Sequence, residues 1–589
     1  MNWLKILLPI LILIVYCLTL SPTVGLIDSG ELITGCYLLN ILHPTGYPLY
    51  TLLGNLFARI PIGTVAQRIN FVSSFFCAVA CFFFFILLLD LTGLPYAAMV
   101  GTGLFAFSST VWSVAVGAEV YGLTLLFLTC IVYLWRKLAQ NNIFLLLAFV
   151  LGLSFTNHMM IASVFIGTII FFALTFRKEF FLRDTILFII FFLLGLSVYL
   201  YLPIRAKQIP LFNWGNPYNL ERFIWHITGK QYRVWMFQAK GAELLANLKS
   251  GLKLIFRESN WGGLILFAIV GLVISFKKNR YLVIGLLVIF FLTLFYAVNY
   301  SIPDIESYYL PCLFVLFLLS GIGLSALMKK LKIPQPVYLI LCLLPILFNY
   351  RRAGMQGNFL AYDSAVNHLK VVPKDAIVIT NWWDFYSPAL YLQYVEKFRG
   401  DVCIIDKELL RRSWYFQYLT KQYPWLIENS TKEINHFLEF LDQFEHGRLK
   451  DNLGIQNSFI NMINSFIDHN PERRVFLTFN ERTDFDAKSI KPEFNRIPYG
   501  LLYELSPPPD TIIEDIDYSQ FVVRRPNLIL DERAKMVLQR YEIFGLERAL
   551  FLQKLNRTAS ARKTLDWVLK INPNSTTAKN WARLLNTNR

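Results

Sequence analysis

The sequence predicts a mainly α, polytopic membrane protein followed by a soluble α/β tail. Three observations predict it. The 589 residues are 55% hydrophobic and 16% aromatic, with a mean hydropathy of +0.46, values that soluble domains seldom reach. Apolar runs recur up to Tyr350 and then stop; runs of about 18 or more residues are what cross a bilayer. Beyond Tyr350, short β-prone apolar stretches alternate with amphipathic helical ones.

Window reading gives about eleven candidate transmembrane helices. They lie near 4–20, 68–90, 95–115, 119–135, 141–156, 158–176, 184–203, 260–276, 281–298, 307–327 and 334–350. The first stretch, "MNWLKILLPILILIVYCLTLSP", has the outline of a signal peptide. Its apolar part is long and no small-x-small cleavage site follows, so it reads as a retained span. Seven of the eight Cys precede residue 350, mostly inside apolar runs, and no CxxC occurs. That usage points away from a disulfide framework and from zinc.

Orientation follows from Lys and Arg. If the spans alternate, Lys5, Arg136, Lys137, Arg177, Lys178, Arg183, Lys277, Lys278, Arg280, Lys329, Lys330 and Lys332 share one face, read as cytoplasmic. The opposite face holds "GLIDSGE", "GAEVYG", "FTNH", "YLPIR" and "NYSIPDIES". Loop 204–259 disagrees, carrying nine Lys+Arg against three Asp+Glu on the outer side. It approaches the length of roughly 60 residues beyond which the rule weakens. Up to Tyr350 the chain holds 23 Lys+Arg and 11 Asp+Glu, and the remainder 33 and 29. The basic excess therefore sits beside the membrane, which suits anionic lipid or phosphate rather than nucleic acid.

Three regions follow. Residues 1–350 form the membrane domain, with a first outer loop at 21–67 and the basic outer loop at 204–259. Residues 351–540 form an extracytoplasmic α/β domain, in which "DAIVIT" and "DVCIID" read as strands around a helical "PALYLQYVEKF". Residues 541–589 read as two amphipathic helices turning at Asn572-Pro573-Asn574, like one tetratricopeptide unit. One such unit cannot bury its own face and should pack on the rest of the tail.

The first outer loop is more than a linker. "GELITGCYLLNILH" and "YPLYTLLGNLFARI" have helical periodicity but are too short to span, and "HPTGYP" punctuates them. Just before them stand Asp28 and Glu31, three residues apart where lipid gives way to water. Asp28 as N-cap and Glu31 as third helical residue would make a variant capping box. A carboxylate there can also act as a general base. Glu119, Asn157, His158, Arg205, Asp304 and Glu306 lie on the same face. Each suits a cap or a satisfied hydrogen-bonding group; together they suit one cleft.

At "TVGLIDSGELI…HPTGYPLYTLLG" the sequence resembles the bacterial and animal membrane proteins grouped with transmembrane protein 260, a protein O-mannosyltransferase family. "WSVAVGAEVYGL", "GLSFTNH", "YLPIRA", "FNWGNPYNLERFIWHITGKQYR", "ESYYLP" and "YLQYVEKFRGDVCIID…WY" continue the resemblance into the start of the tail. Thr45 departs from it, where relatives more often have a second Pro; "HPTGYP" still makes a rigid turn. The last hundred or so residues carry no comparable block.

The resemblance implies a GT-C glycosyltransferase fold and inverting transfer of a sugar, mannose or another hexose, from a polyprenyl-phosphate carrier to protein Ser or Thr on the outer face. It maps the acidic base onto Asp28 and the second acid onto Glu31. It implies membrane lipid and an acceptor protein or peptide as partners, with no nucleotide sugar. Arg205 then suits the donor phosphate, with Arg222, Lys230 and Arg233 as alternatives, since guanidinium geometry fits phosphate. His43, Tyr47, Glu119, Tyr121, Asn157, His158, Trp214, Asp304 and Glu306 are candidate substrate contacts. Trp214, Trp225 and Tyr232 can line a sugar or prenyl path, or form an interfacial belt. Asp28, Glu31 and His43 could share a divalent metal, but no required cofactor or metal is expected. "NWWDFYSP" at 381–388 can touch acceptor or be an ordinary strand-end turn. Other acceptors, such as an envelope glycan or lipid, fit equally well. A lipid-linked-sugar transporter would show internal repeats and midplane breaks; the sequence shows no such repeat and its polar groups cluster on one face, and a scaffold would leave the charged first loop without a purpose. The expected location is a bacterial inner membrane, N-terminus cytoplasmic and tail periplasmic; the alternative is the ER with a lumenal tail.

Overall fold

The computed structural model describes residues 2–138, 143–176, 182–259, 263–331, 333–508 and 513–587. Arg177, Lys178 and Lys332, used above for orientation, lie outside the described residues. The first half is helical: α1 (Asn2–Leu18), α2 (Ser29–Leu38), α3 (Pro48–Ala58), α4 (Val65–Thr92), α5 (Pro95–Ala106), α6 (Ser109–Ala115), α7 (Tyr121–Lys137), α8 (Ile143–Phe155) and α9 (Ile161–Thr175). It continues with α10 (Leu182–Leu196), α11 (Tyr201–Lys207), α12 (Leu220–Ile227), α13 (Ala242–Glu258), α14 (Gly263–Lys278), α15 (Arg280–Val298), α16 (Leu310–Lys330) and α17 (Leu343–Ala353). Among the described residues, every apolar run named above falls mainly on helical structure. Among the described residues, four helical stretches are long and apolar enough to cross a membrane, or six if two bent pairs each count as one crossing. Three further apolar helices, Lys5–Leu18, Ile143–Phe155 and Ile161–Thr175, are shorter.

Local chemistry sets the ends of these helices. Thr64 and Gln67 form a full capping box that starts α4, and Gly93 ends it in the left-handed region. α2 and α3, of 10 and 11 residues, fall on the two short helical stretches of the first outer loop. Asp28 is the N-cap of α2, but its side chain makes no capping bond. The capping-box reading of Asp28 and Glu31 is thus corrected: both carboxylates turn to other partners.

The tail holds α18 (Leu360–Lys370), β1 (Ile377–Thr380), α19 (Trp383–Tyr394), β2 (Cys403–Asp406), α20 (Tyr415–Gln422), α21 (Pro424–Asn429), α22 (Thr431–Glu445), α23 (Asn452–Asp468), β3 (Val475–Leu477), β4 (Asn495–Tyr499) and β5 (Leu502–Ser506). The strand order is β2-β1-β3-β5-β4. β1 pairs in parallel with β2 and β3, while β5 is antiparallel to β3 and β4. The final helices are α24 (Glu532–Lys554), α25 (Thr558–Ile571) and α26 (Thr576–Thr587). α24 crosses the 540/541 boundary drawn from the sequence. Its Val537, Tyr541 and Phe544 share a core with Leu501 and Tyr503 of the sheet side and Trp567 of α25, so the helical end rests on the α/β domain.

β1 is buried throughout, and the chain leaves its carboxyl end to begin α19. α19 lies directly against α2. A Cβ on Gly30 would sit 2.0 Å from the Ser387 carbonyl oxygen, so only glycine permits this approach. Gly30→Ala is expected to push the two helices apart at a cost of about 1–3 kcal/mol. The thermal unfolding midpoint of the detergent-solubilised protein should fall; an unchanged midpoint would refute the contact.

Candidate active site

The site is built on the first turn of α2 and the segment that follows it. Glu31 is buried, 3% exposed. Its Oε1 accepts from the His43 backbone N–H at 2.8 Å and its Oε2 meets His43 Nδ1 at 2.7 Å. The Tyr47 hydroxyl donates to the Pro44 carbonyl at 3.2 Å and lies 2.9 Å from His43 Nε2. With its own proton committed, that hydroxyl accepts from Nε2–H. That arrangement suits a His43 with hydrogen on both ring nitrogens, the imidazolium form. Burial opposes its charge, yet Glu31 and Asp28 more than offset this and raise its pKa to about 9.

Asp28 completes the group. Its Oδ1 accepts from Trp383 Nε1 at 2.8 Å, and its Oδ2 lies 3.8 Å from His43 Nε2. Its side chain is 30% exposed, so Asp28 is half-buried, where Glu31 is fully buried. Burial pushes its pKa up; His43 opposes this, and Glu31 adds to it. Asp28 is therefore a stronger base than an ordinary aspartate.

The tail braces this arrangement. Asp384 accepts from the Ile27 backbone N–H at 2.8 Å and is gripped by Arg533 at 2.9 and 3.1 Å. The Ser387 hydroxyl accepts from the Glu31 N–H at 3.1 Å. Trp383, Asp384 and Ser387 thus fix the turn that carries Asp28 and Glu31. The stretch 381–388 is more than a strand-end turn. Its aromatics stood out in sequence, but nothing there reveals a contact across 355 residues.

Aromatic rings wall the cleft. Trp214 borders His43 at 5.9 Å, Trp383 at 5.8 Å and Trp414 at 4.9 Å. Tyr232 lies 6.3 Å from His43. Tyr47 stacks on His158 at 5.7 Å, and His158 borders Tyr121 at 5.3 Å and Tyr308 at 5.5 Å. Asn157 is occupied structurally, donating to the Val120 carbonyl and the Thr124 hydroxyl. Burial and the nearby Asp28 raise the pKa of Asp304.

Other candidates stand elsewhere. Arg205 caps the end of α2: Nε donates to the Leu39 carbonyl at 2.6 Å, one terminal nitrogen to Leu38 and the other to Gln208. Its guanidinium serves backbone carbonyls, which are what a helix C-terminus presents to a cation. Arg222 reaches Ser413, and exposed Arg233 reaches Thr228. Lys230 donates to the Glu445 carbonyl and lies over the Trp225 ring, which itself borders His446. Glu306 pairs with Arg257 at 3.0 Å.

Asp28, Glu31 and His43 offer ligand atoms within 4.8 Å of one another, a set a divalent cation could use. As an imidazolium, however, His43 has no lone pair to offer until it loses a proton.

Residues 28–180 match the family described as the protein O-mannosyl-transferase TMEM260 N-terminal domain. The mouse protein O-mannosyl-transferase TMEM260 is 28% identical over 445 residues, covering 70% of this chain and 63% of that protein. Its Dictyostelium discoideum counterpart is 22% identical over 465 residues, covering 68% and 57%. The matched part thus spans less than two thirds of either relative. Among solved structures, ArnT from Cupriavidus metallidurans in the apo state aligns with a TM-score of 0.51 at 10% identity, over 86% of this chain and 97% of that one. That likeness is one of fold, the GT-C fold of a multi-pass membrane protein. From Asp28 to residue 180, the segment that carries the acid pair, His43 and His158, the chain is similar to the N-terminal domain of the TMEM260 family.

Proposed function

We propose that this chain is an inverting glycosyltransferase. It moves a hexose, mannose first among the candidates, from a polyprenyl-phosphate carrier to Ser or Thr hydroxyls of proteins on the outer face of the membrane. The observation that carries this reading is Asp28. It is a half-buried carboxylate of raised basicity, held by an indole and lying beside His43 among aromatic rings. The names of the mouse and Dictyostelium relatives favour mannose as sugar and protein as acceptor.

The chemistry is one displacement. The acceptor hydroxyl lies between Asp28 and the anomeric carbon of the donor. Asp28 takes the hydroxyl proton as the oxygen bonds to that carbon. The carbon–oxygen bond to phosphate breaks, and its electron pair leaves with the prenyl phosphate. Attack opposite the leaving group inverts the centre. Phosphate leaves well, so a cation rather than a general acid suffices on that side. Aromatic faces suit sugar C–H groups and a prenyl chain alike. His43 does not exchange the proton; its charge balances Glu31 and keeps Asp28 ionised.

Asp28→Asn removes the base but preserves the shape and the Trp383 contact. Turnover of a synthetic prenyl-phosphate mannose with acceptor peptides is expected to drop about 10²–10⁴-fold, with expression and donor binding near wild type. Wild-type turnover in this variant would end the assignment.

The pH profile tests the charge balance. Asp28 must be ionised, and its pKa is raised, so activity is lost on acidification above the usual aspartate range. His43 has a folded pKa of about 9 against an ordinary 6.5. Its contribution to stability is complete below about 6.5 and disappears as pH rises through about 9. Thermal stability should therefore fall through that alkaline window, and His43→Gln should abolish the step. A wild-type profile flat between pH 7 and 10 would contradict the imidazolium.

For orientation, a reporter active only outside the cytoplasm is expected to function when fused after Arg589. Activity confined to a cytoplasmic reporter at the same place would reverse the topology.

A further inference from the structure

The two loops leaving the carboxyl ends of β1 and β2 both run to the cleft. The β1 loop delivers Trp383 to Asp28. The β2 loop passes through one 3-10 turn, Leu409–Arg411, and then presents Arg412, Ser413 and Trp414. Trp414 packs on Trp214, the indole that also borders His43 and Trp383. Ser413 is tied to Glu445 through its backbone N–H and its hydroxyl, and receives Arg222. Arg412 stands between these anchors. In open α/β sheets, this edge of the parallel strands is where ligands bind.

Most cations around the cleft are committed. Arg205 caps α2, Arg222 holds Ser413, Lys230 holds the Glu445 carbonyl, Arg257 holds Glu306, and Arg533 holds Asp384. Arg412 differs. It is half-buried, and among the described residues its side chain makes no hydrogen bond or ion pair. Burial works against its charge; Glu445, Tyr232 and Glu408 lie close enough to support it and Arg411 to oppose it, and Tyr232 in turn borders His43. Burying a guanidinium without a partner is unfavourable, and such a group suits an anionic ligand brought from outside.

We propose that Arg412 binds the phosphate of the lipid-linked donor, so that the soluble tail supplies the cation facing the leaving group. This rests on the glycosyltransferase reading above. The donor phosphodiester has two free oxygens, which a guanidinium fork can take together. As the bond to the sugar breaks, charge builds on that phosphate. Arg412 then holds the departing prenyl phosphate more strongly than the donor, which lowers the barrier. Trp383 and Arg412, on the segments that follow two neighbouring strands of one sheet, would set the spacing between base and leaving group.

The test uses the full chain in lipid nanodiscs, with farnesyl phosphate as the charged probe and farnesol as its uncharged match. Wild type is expected to prefer farnesyl phosphate. Arg412→Gln should weaken that probe about 10- to 100-fold and leave farnesol binding and the unfolding midpoint unchanged. Arg412→Lys should restore part of the preference. If wild type prefers the phosphate and Arg412→Gln binds it equally well, the assignment of Arg412 fails while the donor class stands. If wild type does not tell the two probes apart, the donor class fails and this inference with it.

Discussion

Three ionisable side chains in one small volume govern the rest of this structure. Glu31 is buried, and a buried carboxylate is tolerable only beside a compensating charge. His43 supplies that charge, and it can do so because Tyr47 accepts from its second nitrogen. Asp28 takes what remains of the positive field at 3.8 Å. The acid pair is therefore two unlike groups. One oxygen pair is saturated and serves to hold the histidine. The other carboxylate is half-buried and stays open to chemistry.

The second constraint is mechanical. α2 is held near its start by Asp384, Ser387 and Trp383 and at its end by Arg205. Three of these four residues come from the tail. The turn that carries Asp28 and Glu31 in the helical first half thus has its position set by residues of the α/β tail. The chain leaving the carboxyl end of β1 runs straight to this turn, so the edge at which α/β domains commonly bind ligands faces the acid–histidine group.

Much of this was legible in sequence, for identifiable reasons. The apolar runs are long and were read directly as helices. Asp28 and Glu31 stood out because carboxylates at a lipid boundary are rare, and His43 lies in the same short loop. The strands β1 and β2 are continuous apolar runs flanking a helix, which is a strong local signal. β3 has three residues and β4 and β5 form a tight hairpin, too brief for periodicity to register. The capping-box reading failed because a tryptophan 355 residues away claims the Asp28 oxygen. Arg205 reads as a phosphate candidate because sequence places a cation at headgroup depth; sequence does not reveal its bonds to the Leu38 and Leu39 carbonyls. Arg412 was invisible for the opposite reason: its distinction is a missing partner, and absence leaves no trace in a sequence.

The close seat of Gly30 beneath the Ser387 carbonyl has a consequence for inheritance. A junction this tight ties the two halves of the gene together. Exchange of the tail between distant relatives would succeed only when the incoming helix brought a matching carbonyl, an indole one turn earlier, and a glycine to receive them. The membrane portion should therefore travel through evolution with its own tail, as a single heritable unit rather than as a reusable module.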